Sequence, residues 1–323
     1  MLTTKFADDG AGSEGSLIER QADALRRAGV EVEMYGLEEP RLRAYWRALS
    51  ALRSMSRSKP FDVVHAQFGH LGPLAVALGR RLAVVVTLHD DDLLSARRKH
   101  RGRSSGGWLR SLVSRWSARR ADEAIVVRPK LGGAIRARGC HVLPYGLPLD
   151  ELPLVPQAQA RLALGLAPDT LQVLWLGDAG GDSPAHAQAQ AAVAAVHLPK
   201  AVTLLALPEE TPVEHIALAM NACDALLVTT DSPTTAWRVR EALACNLPVV
   251  AAAVPGVVEI VDKVPGCHVV QEDGGEALGA GLAQTLASGR RLDSREQVAA
   301  LSEQRVAGEL IGIYQLARAT RTA

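Results

Sequence analysis

Apolar runs of strand length alternate with helical segments along the whole chain, and this alternation limits the fold more than any other feature of the sequence. The runs in the first half are EVEMYGL, DVVHAQF, LAVVVTLH, EAIVV and CHVLPYG. Those in the second half are LQVLWLG, AVTLLAL, DALLVTT, LPVVAAA and CHVV. Largely apolar strands that alternate with helices form parallel sheets covered on both faces. The sequence therefore predicts doubly wound α/β domains.

A proline-rich stretch, PYGLPLDELPLVPQAQ, separates the two halves of the chain. Proline disfavours helix there and indicates a linker, and 323 residues is the length of two ordinary domains. We therefore predict a domain boundary near residue 147 and a last helix over about residues 303–319. Ligands of such sheets bind beyond the carboxyl ends of the strands, so we expect the functional site in the cleft between the domains.

The composition, with 48% hydrophobic and 22% charged residues, is typical of a soluble globular protein. No run of eighteen apolar residues and no signal-peptide pattern occurs, which predicts a cytoplasmic location. The four cysteines form no CxxC pair, so we expect reduced thiols and no zinc site.

The two halves differ in charge. Residues 1–146 contain 25 Lys and Arg against 15 Asp and Glu, whereas residues 147–323 contain 11 against 20. A basic N-terminal half favours an anionic partner, either a phosphorylated substrate or an acidic membrane surface. Nucleic acid is disfavoured, because aromatic residues make up only 4% of the chain and no recognition motif occurs.

The segment SSGGWLRSLVSRWSARR, at residues 104–120, combines basic and apolar residues at helical spacing. Trp108, Leu112 and Trp116 share one face. One interpretation is a helix that rests on anionic lipid at the inner face of the membrane. The other is an ordinary domain helix whose apolar stripe belongs to the core.

Three glycines, Gly10, Gly12 and Gly15, have the GxGxxG spacing between a predicted strand and a helix. A dinucleotide site would require an acid at the end of the next strand, and that strand ends in MYGL. A glycine-rich turn that lets the backbone approach some other ligand is the favoured interpretation.

The buried strand VVVTLH ends at His89, which is followed by three aspartates, the last of them Asp92. A histidine at a strand end could bind a sugar hydroxyl or move a proton. The alternative is a histidine satisfied by its own loop, beside solvated carboxylates. Adjacent aspartates rarely converge on one ion, so we do not predict a metal site there.

A second candidate lies in TTDSPTTAWRVREALACNLPVV, which begins at Thr229. Ser232 is a candidate N-cap, and the amides near Thr234 and Thr235 would then be free to bind phosphate at a helix N-terminus. Glu241 follows two turns later and could accept hydrogen bonds from a ribose diol. The alternative is an ordinary capped helix with a solvated glutamate.

Several motifs together resemble the retaining GT-B glycosyltransferases of family 4. They are FDVVHAQFG, VVVTLHDDDLL, SRWSARRADEAIVV, HVLPYGLPLD, ARLALGL, MNACDALLVTTDS, REALACNLPVV and AVPGVVEIV. The resemblance implies two Rossmann-like domains, an acceptor-binding one at residues 1–146 and a nucleotide-sugar-binding one at 147–302. It also implies that the helix at 303–323 crosses back to the first domain, and that neither a cofactor nor a metal is required.

The resemblance also implies roles for individual residues. Gly15 matches a glycine near the donor phosphates, His89 matches the histidine that contacts the transferred sugar, and Asp92 matches the acid three residues later. Glu241 matches the second glutamate of the family's E-x7-E pair, which binds the ribose. Glu259 matches a structural acid after the next glycine loop.

Other family positions are replaced. The first glutamate of the pair is Pro233, and the Arg and Lys that hold the diphosphate after the strand VLWLG are absent from GDAGGDSPAHAQ. Asp178 and Asp182 add like charge there. Because charge-assisted hydrogen bonds are each worth roughly 1.5–3 kcal/mol, these changes weaken the predicted donor site. Arg128 is the candidate cation that would compensate.

Two functions follow from this pattern. The first is a glycosyltransferase that moves a sugar, with retention, from a nucleotide sugar to a glycan or lipid-linked acceptor, as in polysaccharide biosynthesis. The second is a degenerate homologue that keeps the fold and acts as a binding or scaffold partner.

Overall fold

The chain is described by a computed structural model. It covers residues 1–4, 14–37, 42–79, 82–89, 92–93, 105–133, 135, 137, 139–178, 183–230, 232, 234–254, 256–271 and 274–322. These residues form two compact units. Unit 1 contains Met1–Asp9, Leu17–Gly146 and Glu303–Ala323, and unit 2 contains Gly10–Ser16 and Leu147–Ser302, so the first turn of the helix that begins at Glu14 is assigned to unit 2.

Unit 1 has a six-stranded parallel sheet in the order β2-β1-β3-β4-β5-β6. Its strands are β1 (Leu2–Thr3), β2 (Tyr35–Gly36), β3 (Val63–Ala66), β4 (Ala83–Leu88), β5 (Glu123–Val126) and β6 (Cys140–Val142). Its helices are α1 (Glu14–Arg27), α2 (Leu42–Ser58), α3 (Gly72–Leu78), α4 (Ser105–Arg120), α5 (Pro129–Gly132) and, at the end of the chain, α13 (Glu303–Thr322). The predicted strands of the first half are confirmed.

Unit 2 has a five-stranded parallel sheet in the order β11-β10-β9-β7-β8. Its strands are β7 (Leu171–Leu176), β8 (Val202–Leu207), β9 (Ala225–Val228), β10 (Val249–Ala252) and β11 (His268–Val270). Its helices are α6 (Gln157–Ala163), α7 (Pro184–Ala194), α8 (Val213–Ala222), α9 (Thr235–Ala244), α10 (Val258–Val261), α11 (Gly275–Ser288) and α12 (Arg295–Val298). The doubly wound α/β prediction is therefore confirmed for both halves.

Apolar cores cover both faces of the unit 1 sheet. On one face α2, α3 and the end of α4 pack on strands β3 and β4. On the other face α1 and α13 pack on β4 and β5, with Leu25, Val85, Ile125 and Leu310 fully or nearly fully buried. The last helix thus contributes to the core of unit 1.

Helix α4 does not pack as an apolar stripe. Its inward residues are small and at most 5% exposed, namely Ser111, Ser114, Ser117 and Ala118. They allow close approach, because a Cβ built on Gly72 would lie only 2.2 Å from the Cβ of Ser117. Its large apolar residues face outward, with exposures of 63% for Trp108, 57% for Leu109, 45% for Leu112 and 42% for Trp116. The interpretation of this stripe as core is therefore wrong.

The cysteines are free thiols. Burial raises the pKa of Cys223 and of Cys245 to about 12, so both stay protonated and unreactive at neutral pH.

Candidate functional site

His89 lies in unit 1 where β4 ends and is only 5% exposed. Its Nε2 is 2.9 Å from the carbonyl oxygen of Gln67. Since a carbonyl only accepts hydrogen bonds, this contact assigns the proton to Nε2. The ring lies between those of Phe68 and Tyr145, with centroid distances of 4.8 and 5.8 Å. The histidine is thus held in one orientation at the carboxyl edge of the sheet.

Asp92 is fully buried and fixes the loop that carries His89. Its Oδ2 accepts hydrogen bonds from the amides of Gly69 and His89, both at 3.1 Å, and its Oδ1 accepts one from the Ser114 hydroxyl at 3.2 Å. Asp92 therefore acts on His89 through the backbone, and its assignment to the catalytic group stays a prediction.

The ionisation of Asp92 is set by these neighbours. Burial raises the pKa of this carboxyl, but His70, His89, the Gly69 amide and Arg110 together outweigh burial and hold the pKa at about 2. The carboxylate is therefore charged across the physiological range.

This shift predicts a pH dependence of stability. The folded pKa of Asp92, about 2, lies below its ordinary value of 3.8, so its stabilising contribution is complete well above pH 4 and is lost as the pH falls from about 4 to 2. The contribution at neutral pH is about 2 kcal/mol. Urea unfolding of wild type and Asp92→Asn should therefore differ less at pH 3 than at pH 7. An equal difference at the two pH values would contradict the assignment.

The second group of predicted residues lies in unit 2, where β9 ends and α9 begins. The prediction that Ser232 is the N-cap is wrong, because α9 begins at Thr235 and Thr234 precedes it. The Ser232 hydroxyl instead contacts those of Thr234 and Thr235, at 3.2 and 2.8 Å, and its amide donates to the Thr235 hydroxyl. Pro233 lies outside the described residues.

This group also contains a glutamate that was not predicted from the sequence as a site residue. Glu209 follows β8, and its Oε2 accepts a hydrogen bond from the Thr234 hydroxyl at 3.2 Å. The loops after β8 and β9 are therefore joined at the carboxyl edge of the sheet, although β7 lies between these two strands.

Glu241 is fully buried beneath Arg238, which is 4% exposed. Arg238 Nη1 donates to Glu241 Oε2 at 2.8 Å, and its Nη2 donates to the backbone carbonyl of Glu209 at 2.6 Å. Residues three apart share a helix face, so Thr235, Arg238 and Glu241 form one stripe along α9. The sequence reasoning missed Arg238, although its spacing from Glu241 was a usable signal.

A small pocket opens beside this stripe. It is lined by Leu176, Glu209, Leu226, Leu227, Val228, Thr230, Thr235 and Arg238. Within the described part of the chain, Glu241 is not among the lining residues, so the guanidinium and not the carboxylate faces the pocket. The predicted contact of Glu241 with a ribose stays a prediction.

The remaining predicted residues lie elsewhere. Gly15 is buried in the first turn of α1, whereas Gly10 and Gly12 lie outside the described residues. Arg128 precedes α5 and is half-buried. Asp178 is exposed after β7. The described residues contain no cluster of three or more His, Cys, Asp or Glu side chains placed to hold a metal ion.

Two family models match the chain. Residues 11–146 match the glycosyl transferase 4-like domain, and residues 154–288 match glycosyl transferases group 1. No curated protein sequence matches.

Solved structures share the fold. Sucrose-phosphate synthase from Thermosynechococcus elongatus is similar with a TM-score of 0.72 and 18% identity, over 97% of each chain. A glycosyltransferase from Rickettsia africae is similar with a TM-score of 0.71 and 11% identity, over 98% of this chain and 97% of that one. HepE from Anabaena, solved with UDP-glucose, is similar with a TM-score of 0.65 and 16% identity, over 99% and 98%. With both halves matched by family models and the whole chain sharing the fold, the protein belongs to the GT-B glycosyltransferases.

Proposed function

We propose that this protein transfers a sugar, with retention of configuration, from a nucleotide-sugar donor to a glycan or lipid-linked acceptor. The observation that carries this proposal is the stripe on α9, where hydroxyls, a buried guanidinium and Glu241 meet at the carboxyl edge of the unit 2 sheet. Hydroxyls, a cation and a helix N-terminus are the groups that bind a nucleotide diphosphate. HepE from Anabaena has been solved with UDP and with UDP-glucose.

Arg238 bears on the choice between an enzyme and a degenerate homologue. The sequence after β7 lacks the expected cations, and Asp178 adds negative charge there. Arg238 supplies a positive charge from α9 instead, within the same unit. A donor site with a cation can stabilise a departing diphosphate, so this residue favours the enzyme.

His89 is the residue that we propose to contact the transferred sugar. Its fixed orientation supports this role, because an oriented hydrogen-bonding group loses little freedom when a ligand binds. Gly15 is proposed to let the backbone approach the same ligand, and Arg128 remains a further candidate cation. No cofactor or metal is included in this proposal.

Isothermal titration calorimetry against UDP, GDP, ADP and TDP sugars tests the proposal. We expect micromolar affinity for one donor. His89→Ala should weaken the sugar nucleotide but leave the affinity for the free nucleoside diphosphate unchanged, because His89 is assigned to the sugar alone. Millimolar or absent binding for every donor would contradict the proposal and favour the scaffold partner.

We further propose that unit 1 contacts an anionic membrane through residues 104–120, as a peripheral protein of the cytoplasmic face. The outward apolar side chains of α4 support this, and α2 adds Trp46 at 67% exposure. Both helices pack against α3 on the same side of the sheet. Together they contain eight arginines and no acid, a composition suited to acidic headgroups. No described helix is long and apolar enough to cross a bilayer.

A further inference from the structure

We infer that Arg238, and not Glu241, is the group on α9 that binds the donor, and that it takes an anionic oxygen of the nucleotide diphosphate. Glu241 then acts as a positioning residue that holds the guanidinium. This inference rests on the proposed function, because it names the ligand group that the same site would recognise.

The first argument is that Glu241 lies deeper in the protein than Arg238. Glu241 is 0% exposed and is absent from the described lining of the pocket, whereas Arg238 lines it. Arg238 Nη1 binds Oε2 of this carboxylate at 2.8 Å, and the carboxylate has no exposed surface, so a ribose could reach it only if Arg238 or another covering side chain moved. Breaking a buried ion pair is costly, because both charges lose their partner in a low-dielectric environment. A ligand therefore meets the guanidinium first.

The unused donors of Arg238 are the second argument. A guanidinium has five N–H donors, and the bonds to Glu241 and to the Glu209 carbonyl use one each from Nη1 and Nη2. The buried Nε has no hydrogen-bond partner among the described residues. A buried donor without an acceptor is unfavourable, so an acceptor oxygen in the pocket would satisfy it. Phosphate oxygens suit a guanidinium because they can accept two parallel hydrogen bonds.

The orientation of the guanidinium is the third argument. The guanidinium donates hydrogen bonds to the Glu241 carboxylate and to the backbone carbonyl of Glu209, which follows β8. The Cζ of Arg238 also lies 5.3 Å from the centroid of the Trp237 ring. A preoriented cation next to the helix N-terminus at Thr235 loses little entropy on binding an anion. The two residues would recognise different parts of the donor. A carboxylate accepts hydrogen bonds from a diol, whereas a guanidinium donates hydrogen bonds to an anion.

The experiment compares a nucleoside diphosphate with its parent nucleoside. Binding to wild type is measured for UDP, GDP, ADP and TDP, and the tightest diphosphate is kept with its nucleoside. Arg238→Met keeps the length of the side chain and removes the charge. Arg240→Met, on the same helix but outside the stripe, is the matched control. We expect Arg238→Met to weaken the diphosphate about 10- to 100-fold and the nucleoside less than about threefold, and Arg240→Met to change neither.

Glu241→Gln separates the two roles. If Glu241 only positions Arg238, the diphosphate weakens and the nucleoside does not. If Glu241 binds the ribose itself, the nucleoside weakens as much as the diphosphate, and the inference is overturned. Arg238→Met leaves Glu241 charged and could fail to fold, so the double variant Arg238→Met/Glu241→Gln, without either charge, must show the same loss for the diphosphate.

The outcomes distinguish this inference from the proposed function. Wild type that binds no diphosphate overturns the proposed function and the role of Arg238 with it. If wild type binds a diphosphate and Arg238→Met binds it equally tightly, only the role of Arg238 is overturned.

Discussion

Replacing Glu241 with alanine is expected to lower the free energy of unfolding by about 3–5 kcal/mol. The change removes the 2.8 Å partner of Arg238 and leaves a guanidinium that is 4% exposed with an uncompensated charge. A charge buried without a partner is destabilising to this extent because the low-dielectric interior cannot solvate it. Guanidinium chloride unfolding, followed by fluorescence and by circular dichroism, measures the loss.

Two further variants test the cause of this loss. Glu241→Gln keeps an acceptor and should cost less than Glu241→Ala. The double variant Arg238→Met/Glu241→Leu removes both charges and replaces them with apolar groups, so its stability should return to near that of wild type. If the free energy of unfolding of Glu241→Ala lay within about 1 kcal/mol of the wild-type value, which is the order of experimental error, the buried ion pair would be contradicted.

Replacing Trp46, Trp108 and Trp116 together with alanine is expected to reduce partitioning onto anionic vesicles at least about tenfold. These side chains are 67%, 63% and 42% exposed, so their removal leaves no cavity in the core. Each indole that enters the membrane interface is removed from water. If the three substitutions together cost about 1.4 kcal/mol of binding free energy, the partition coefficient falls tenfold. Co-sedimentation with vesicles of phosphatidylcholine and phosphatidylglycerol measures the bound fraction.

The charge contribution is tested in the same assay. Binding should fall when phosphatidylglycerol is omitted and when salt is raised, because the arginines of α2 and α4 attract acidic headgroups over a Debye length. Leu162→Ala is the control, since Leu162 is 83% exposed but lies on α6 in unit 2. Equal binding to neutral vesicles would contradict the charge contribution, and an unchanged triple variant would contradict a membrane surface formed by these tryptophans.

The strands were predictable from sequence because buried parallel strands are nearly continuous apolar runs. VVVTLH and DALLVTT indicate their strands without any knowledge of tertiary contacts. That Glu241 lies on the helix after β9 could also be predicted, but its complete burial could not, because the sequence predicted either a ribose contact or a solvated side chain. The spacing of Arg238 from Glu241 indicates a shared helix face, but it does not show that the two side chains form a buried ion pair. Arg238 replaces no residue of the family motif, and only the folded helix shows that its side chain covers the carboxylate.

The orientation of α4 was beyond the sequence for a different reason. Apolar spacing shows that a helix has an apolar face, but not which neighbour that face meets. In this protein Gly69 and Gly72 determine the orientation of α4. Neither has a side chain, so Ser114 and Ser117 pack closely against them and this face of α4 points inward. The prediction of Ser232 as N-cap failed because its hydroxyl pairs with two threonine hydroxyls instead of a helix amide.

A crystal structure with the tightest-binding nucleoside diphosphate tests the central claim most directly, namely that the carboxyl edge of the unit 2 sheet is the donor site. The account predicts that the diphosphate lies beside the first turn of α9, with a phosphate oxygen about 3 Å from the Arg238 guanidinium. An ordered nucleotide bound away from this edge, or an empty edge at saturating nucleotide, would contradict it.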